Sequence, residues 1–152
     1  MKYTDNINNL EVIIDDSILD KMIELSMQSC PNETGGFLIG NYSNDLKIAY
    51  ITNMLIPSSI SSCNSYKRET LSKSIWDKLY NEGKIYLGEW HSHPNGCANY
   101  SQTDKNTLIS IANNDNVNIL NPIIIIIGIK YTKIEVKAYY LSNANLIEYE
   151  KD

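Results

Sequence analysis

The stretch Ile85-Tyr-Leu-Gly-Glu-Trp-His-Ser-His-Pro94 contains both histidines of the protein and indicates how its fold is built. Its first part, residues 85–90, is rich in aromatic and aliphatic side chains and predicts a β-strand. Side chains alternate between the two faces of a strand, so His91 and His93 are expected to share one face at the strand's end. The stretch therefore predicts a sheet that carries two neighbouring imidazole rings.

The segments on either side predict further strands and three helices. The apolar run 123–127 does not alternate with polar residues, which is typical of a strand buried on both faces at the centre of a sheet. Helices are predicted from residue 16 or 17 to about residue 30, over 70–82 with Gly83 closing the helix, and over 101–113. The remaining strands are predicted at residues 10–14, 36–41, 46–56, 122–130, 133–141 and 146–150. This order predicts an α+β fold, with a mostly antiparallel β-sheet flanked by helices.

Composition narrows the class of protein. The 152 residues are enough for one domain, and 13 basic against 18 acidic residues leave a net charge of −5. Because the basic residues are also scattered, we expect no nucleic-acid partner. No apolar run approaches the ~20 residues of a membrane span, and the polar first ten residues do not resemble a signal peptide. Cys30, Cys63 and Cys97 lack a C-x-x-C spacing, which indicates a reducing, cytoplasmic location.

Two histidines on one strand face can share a divalent metal ion, although they can also simply decorate the end of a strand. Asp104 follows His93 by eleven residues, across a loop that contains glycine and can fold back. Two histidines, one aspartate and a water form the open tetrahedral shell of a catalytic zinc site. Ser101 and Asp104, taken alone, are equally typical of a helix capping box. When Asp104 is considered together with His91 and His93, the zinc interpretation is favoured.

A hydrolytic zinc site also needs a general base, and two carboxylates compete for that role. Glu89 lies two residues before His91 and shares its face of the predicted strand. Glu33 lies upstream, beside the Gly35-Gly36 pair that opens another strand. Local spacing favours Glu89 but leaves the choice open.

Three segments together resemble the JAMM signature of the MPN/JAB metallopeptidases. They are Glu33-Thr-Gly-Gly-Phe-Leu-Ile-Gly40, Gly88-Glu-Trp-His-Ser-His-Pro94 and Ser101-Gln-Thr-Asp104, which occur in the family's order and spacing. The resemblance covers nearly the whole chain. It implies a single JAB/MPN metallopeptidase domain over residues 1–152, with a cytidine-deaminase-like layout.

The resemblance also implies a role for each residue. His91, His93 and Asp104 become zinc ligands, Glu33 becomes the general acid/base, and Ser101 helps to stabilise the oxyanion. Glu89 is then left either to orient a ligand or to be a solvated charge. Trp90 points to the opposite face and is expected in the core.

The implied activity is zinc-dependent cleavage of the isopeptide or peptide bond after the C-terminal residue of a ubiquitin-like or E1/E2-conjugated protein. As a short chain with a single expected domain, the protein resembles prokaryotic JAB proteins. Some of these accompany E1- and E2-like enzymes in CBASS-type anti-phage operons. The expected partners are therefore E1- and E2-like enzymes and the C-terminal tail of a conjugated protein, for example a CD-NTase-type cyclic-nucleotide synthase.

Three other functions remain open. The domain could be a non-catalytic MPN scaffold, although such scaffolds usually lack the metal ligands. It could instead process a ubiquitin-like precursor, as a deubiquitinase-like peptidase. Cys97, four residues after His93, could form a Cys/His nucleophilic dyad.

The loops 57–66 and 95–100 are expected to flank the cleft, and either could hold an extended tail as an added strand.

Overall fold

The computed structural model describes residues 1–63, 65–68 and 72–152, and only the backbone of residues 59–61 and 65–68. The helices are α1 (Asp16–Ser29), α2 (Lys73–Asn81) and α3 (Gln102–Ala112). The strands are β1 (Lys2–Asp5), β2 (Leu10–Ile14), β3 (Gly35–Tyr42), β4 (Ile48–Leu55), β5 (Ser59–Ser62), β6 (Ser65–Arg68), β7 (Ile85–Pro94), β8 (Ile123–Lys130), β9 (Lys133–Ser142), β10 (Asn145–Glu148) and β11 (Glu150–Lys151).

Nine of these strands form one sheet, in the order β10-β9-β8-β7-β3-β4-β2-β1-β11. Two neighbouring pairs, β7 with β8 and β2 with β4, run parallel, and the other pairs of this sheet are antiparallel. The prediction of an α+β fold with a mostly antiparallel sheet is confirmed.

The five consecutive isoleucines of β8 show why its sequence does not alternate. Ile123, Ile125 and Ile127 pack in the core on the side of α1, together with Met22 and Trp90. Ile124 and Ile126 pack on the other side, against Leu108 of α3. Both faces of β8 are therefore covered, as the apolar run predicts, and the expectation that Trp90 belongs to the core is confirmed.

A bulge in β7 adjusts which side chains face the helices. The pairing with β3 slips between Leu38 and Ile39, so that Leu38 lies opposite Gly88 and Ile39 opposite Tyr86. Gly88 has φ +149°, and a side chain there would collide with the Ile123 carbonyl. Leu87 and Trp90, three residues apart, consequently share the α1 core. Beyond the bulge, alternation places Glu89, His91 and His93 on the opposite face.

The two edges of the sheet are joined by the C-terminal segment. We predicted one edge strand at residues 146–150, but the structure has two short strands at opposite edges. β10 pairs with β9, and β11, which begins after Tyr149, pairs with β1. Tyr3 of β1 also donates a hydrogen bond to the Val136 carbonyl of β9, 3.3 Å away. The sheet curls until its edges meet, which a local sequence pattern cannot show.

Other differences from the predicted elements are local. β1 was not predicted, because Tyr3 is its one large apolar residue and the rest of the first ten residues are mostly polar. The serine-rich segment 57–66, predicted as a loop, instead contributes β5 and the start of β6, which pair through their backbones. The second helix begins at Lys73, and residues 70 and 71 of its predicted range lie outside the described residues. No helix in the described ranges is both long and apolar enough to cross a membrane.

Candidate metal centre

Three side chains converge at the end of β7. The Asp104 carboxylate lies 3.0 Å from His91 Nε2 through Oδ1 and 3.5 Å from His93 Nε2 through Oδ2. The two Nε2 atoms are themselves 3.0 Å apart. One ligand atom from each residue lies within 4.8 Å of the others, so the three form a group that could hold a metal ion.

The position of Asp104 is set by the first turn of α3. Ser101 is the N-cap, and its Oγ accepts a hydrogen bond from the Asp104 amide at 3.2 Å. In return, Asp104 Oδ2 accepts one from the Ser101 amide at 2.5 Å. The capping box that competed with the metal interpretation is therefore present, and it orients the same carboxylate toward the histidines. The two interpretations are compatible.

The donor atoms fit a cation. His93 Nδ1 lies 3.1 Å from the Cys97 carbonyl oxygen, which can only accept, so Nδ1 carries the hydrogen. In the neutral ring, His93 Nε2 is then a lone-pair donor that faces a carboxylate and a second imidazole nitrogen. Such an electron-rich cluster needs a positive charge at its centre, either ring protons or a metal. Two imidazoles and a carboxylate are a donor set that zinc accepts, with a position left for water or substrate.

The pKa shifts of Asp104 and His93 also fit a site that binds a cation. Burial by itself would raise the pKa of Asp104, but hydrogen bonds to His91 and His93 outweigh it and hold that pKa far below its usual range. Burial by itself would lower the pKa of His93, and the adjacent Asp104 carboxylate raises it instead. Asp104 is therefore ionised under ordinary conditions and is ready to bind a cation.

Glu33 is brought to this cluster from β3's side of the sheet. Its amide donates to the Ser62 carbonyl of β5 at 2.8 Å, and its side chain is partly buried. Burial raises the pKa of Glu33, while the charges of His91 and His93 act to lower it. Gly35 lies opposite His91, where a side chain would collide with the β7 backbone, so this glycine lets the segment approach closely.

Glu89 does not lie in the cluster, nor is it a solvated charge. It is 7% exposed and accepts a hydrogen bond from the Tyr86 hydroxyl at 3.2 Å. Tyr86 belongs to an aromatic group with Phe37 and Trp76 beneath α2. Glu89 thus sits farther back along β7, on the same face as the histidines.

The loop after β7 is held firmly where it meets His93. The Ala98 amide donates to Glu135 at 2.9 Å, and the Ala98 carbonyl accepts from the Tyr139 hydroxyl at 3.0 Å. Gly128 lies opposite His93, and a side chain there would collide with the backbone of Cys97 and Ala98. It is thus the Cys97 carbonyl that contacts His93, and the Cys97 side chain is exposed.

Sequence reasoning missed three contributors to this site: the Cys97 carbonyl, Gly128 and Ser92. The first is a backbone atom, which carries no residue signature, and the second acts only through close packing across the sheet. Ser92 lies between the two histidines, and nothing in that position signals its contact with Thr34, 58 residues away.

Comparisons with known proteins identify the family of the chain. Residues 15–141 match the family described as prokaryotic homologs of the JAB domain. A protein named CD-NTase/cGAS isopeptidase, from Enterobacter hormaechei subsp. hoffmannii (strain UCI 50), is 32% identical over 120 residues, which cover 77% of this chain and 67% of that protein. A solution structure from Desulfitobacterium hafniense has a TM-score of 0.64 over 91% of this chain and 90% of its own, at 19% identity. That last likeness concerns the fold alone.

Proposed function

Because the chain belongs to the family of prokaryotic JAB-domain homologs, we propose that it is a zinc-dependent isopeptidase whose metal ligands are His91, His93 and Asp104. The observation that carries the proposal is the convergence of these three donors within 4.8 Å at the end of β7. When bound, zinc acts as a Lewis acid on the scissile carbonyl and lowers the pKa of water.

The residues of the chain then have distinct tasks. Glu33, partly buried and near enough to the cluster for the charges of His91, His93 and Asp104 to act on its pKa, takes a proton from the attacking water and returns it to the leaving amine. Ser101 Oγ uses a lone pair to accept from the Asp104 amide, so its hydroxyl hydrogen is left to donate to the developing oxyanion. The Cys97 carbonyl accepts a hydrogen bond from His93 Nδ1 and so fixes the orientation of that ring, with Nε2 left for the metal.

The substrate we propose is a protein whose C-terminal residue is joined to a lysine of a target. The name of the Enterobacter relative supports a CD-NTase-type protein as the conjugated partner. E1- and E2-like enzymes would make the conjugate, and this chain would remove it, in a bacterial system directed against phage. Processing of a linear ubiquitin-like precursor is the alternative reaction, and it would use the same residues. The whole chain, residues 1–152, would act as one JAB domain in the cytoplasm.

Hydrolysis of a defined conjugate tests the proposal. A CD-NTase-type protein linked through its C-terminus to a lysine side chain is incubated with the zinc-loaded protein, and the products are identified by mass spectrometry. We expect release of the intact C-terminus and the free lysine amine. A matched linear fusion separates isopeptidase from precursor-processing activity.

Glu33→Gln is the matched control, because it keeps the shape of the side chain and removes its basicity. Hydrolysis that persists in this variant, or no hydrolysis of either substrate by the zinc-loaded wild type, would contradict the proposal. A scaffold function would leave both substrates intact.

A further inference from the structure

Ser92 lies between the two histidines but does not face the metal centre. It is fully buried, and strand alternation turns its side chain to the face opposite His91 and His93. It therefore cannot touch substrate or metal. Two of its hydrogen bonds lead to Thr34, the residue that follows Glu33.

Both polar groups of Thr34's backbone are held by Ser92. The Ser92 amide donates to the Thr34 carbonyl at 2.8 Å. The Thr34 amide donates to Ser92 Oγ at 3.0 Å. The regular pairing of β3 with β7 ends at Gly35 and His91, so these two bonds continue the ladder by one step. A side-chain oxygen replaces the backbone carbonyl in the second bond.

This replacement bears on Glu33. The Ser92 hydroxyl oxygen lies farther from the axis of β7 than a backbone carbonyl would. Because of this, the chain before Thr34 can leave the sheet while the Thr34 amide stays hydrogen-bonded. The preceding amide, that of Glu33, bonds instead to the Ser62 carbonyl of β5. Two consecutive amides, each with a partner on a different strand, fix the direction in which the Glu33 side chain leaves the backbone.

We propose that Ser92 is a positioning residue, which through Thr34 sets the location of the Glu33 carboxylate relative to the metal ligands. The inference rests on the proposed hydrolytic role of Glu33. Ser92 acts through the backbone of Thr34 and takes no proton. A displacement of about 1 Å at a reacting group costs on the order of 10²-fold in rate, so one lost hydrogen bond has a measurable effect on turnover.

The test compares Ser92→Ala with Ser92→Thr and with Ser26→Ala. Ser26 is equally buried, and its hydroxyl donates to the Met22 carbonyl within α1 at 2.7 Å, so it matches Ser92 in burial but not in position. We expect Ser92→Ala to retain its zinc and its KM while kcat falls about 10- to 100-fold. Ser92→Thr, which keeps the hydroxyl, should recover most of kcat, and Ser26→Ala should leave kcat unchanged.

Amide hydrogen exchange at Thr34, measured by NMR on the metal-free protein, gives a readout that needs no substrate. In Ser92→Ala this amide loses its acceptor and should exchange at least about fivefold faster, while Ser26→Ala leaves it unchanged. Wild-type kcat in Ser92→Ala, loss of zinc from that variant, or unchanged exchange at Thr34 would each overturn the inference. An inactive wild type with faster Thr34 exchange in the variant would instead count against the proposed function.

Discussion

Two carboxylates at opposite ends of the sheet have opposite surroundings. Asp5 accepts hydrogen bonds from the amides of Ile7 and Asn8, from the Asn8 side chain at 2.7 Å and from the Tyr140 hydroxyl at 2.7 Å. The Glu33 side chain accepts no hydrogen bond within the described part of the chain. Hydrogen bonding lowers the pKa of Asp5, and burial raises the pKa of Glu33.

The pairing of the strands shows that Asp5 and the metal ligands lie at opposite ends of β8. Tyr140, the partner of Asp5, lies opposite Ile123 at the start of β8, whereas His93 lies opposite Gly128 near its end. Four hydrogen bonds fit a structural role for Asp5, whereas a carboxylate that accepts none within the described residues and lies near the ligand group fits the proton-transfer role proposed for Glu33. Each carboxylate should therefore respond to mutation in its own way.

The largest effect is expected for Glu33→Gln. Removal of a general base typically costs 10²- to 10⁴-fold in rate, and we expect a loss of about that size in kcat on the conjugate. The zinc content and melting temperature should stay at the wild-type values, because no protein group bonds to the side chain in the described residues. A large drop in melting temperature would mean that Glu33, like Asp5, is structural.

The next effect is expected for Gly128→Ala, which tests how the loop supports the metal centre. The added methyl collides with the backbone of Cys97 and Ala98 and moves the carbonyl that orients His93. Loss of a hydrogen bond that orients a metal-binding histidine commonly weakens metal binding about 10- to 100-fold. Competition with a chromogenic zinc chelator measures this change. Gly83→Ala strains a backbone with φ +73° but meets no atom within 4 Å, so it controls for destabilisation without a collision at this loop. Equal zinc affinities in the two variants would contradict a role for Gly128 in supporting the metal centre.

At the end of the sheet that carries Asp5, Tyr140→Phe should affect stability and not catalysis. It removes the hydrogen bond that Tyr140 donates to the Asp5 carboxylate and the one that it accepts from the Asn8 side chain. The free energy of unfolding should fall by about 1.5–3 kcal/mol at pH 7. Denaturant unfolding measures this, and kcat with the conjugate should remain within about twofold. A large loss of kcat would show that the two ends are coupled.

The same network predicts a dependence on pH. The folded-state pKa of Asp5 is lowered, so its contribution to stability is present above the unfolded value of about 4 and is lost as the pH falls through the folded pKa. The stability difference between wild type and Asp5→Asn should therefore shrink as the pH falls below about 4. A constant difference between pH 7 and pH 3 would contradict this assignment.

The smallest effect is expected for Cys97→Ser. The structure uses the carbonyl of Cys97 at His93, and the side chain is exposed, so serine should leave the contact intact. We expect kcat and zinc content within about twofold of the wild type. A substantial loss of hydrolysis with zinc retained would revive the Cys/His dyad.

Much of the sheet and the face of β7 that carries His91 and His93 could be predicted from the sequence. Alternation and capping are local rules, and they place the two histidines on one face and Asp104 in the first turn of α3. The curling of the sheet could not be predicted, because β10 and β11 choose partners far away in sequence. The same holds for the contact between Ser92 and Thr34 and for the Cys97 carbonyl, which depend on register and backbone atoms.

The metal centre is tested by the zinc content of wild type, His91→Ala and Glu33→Gln, each purified without added metal and measured by mass spectrometry. We predict about one zinc per chain in the wild type and in Glu33→Gln, and its loss in His91→Ala. A wild type that holds no zinc even after reconstitution, or a His91→Ala variant that keeps it, would contradict the assignment of the metal centre.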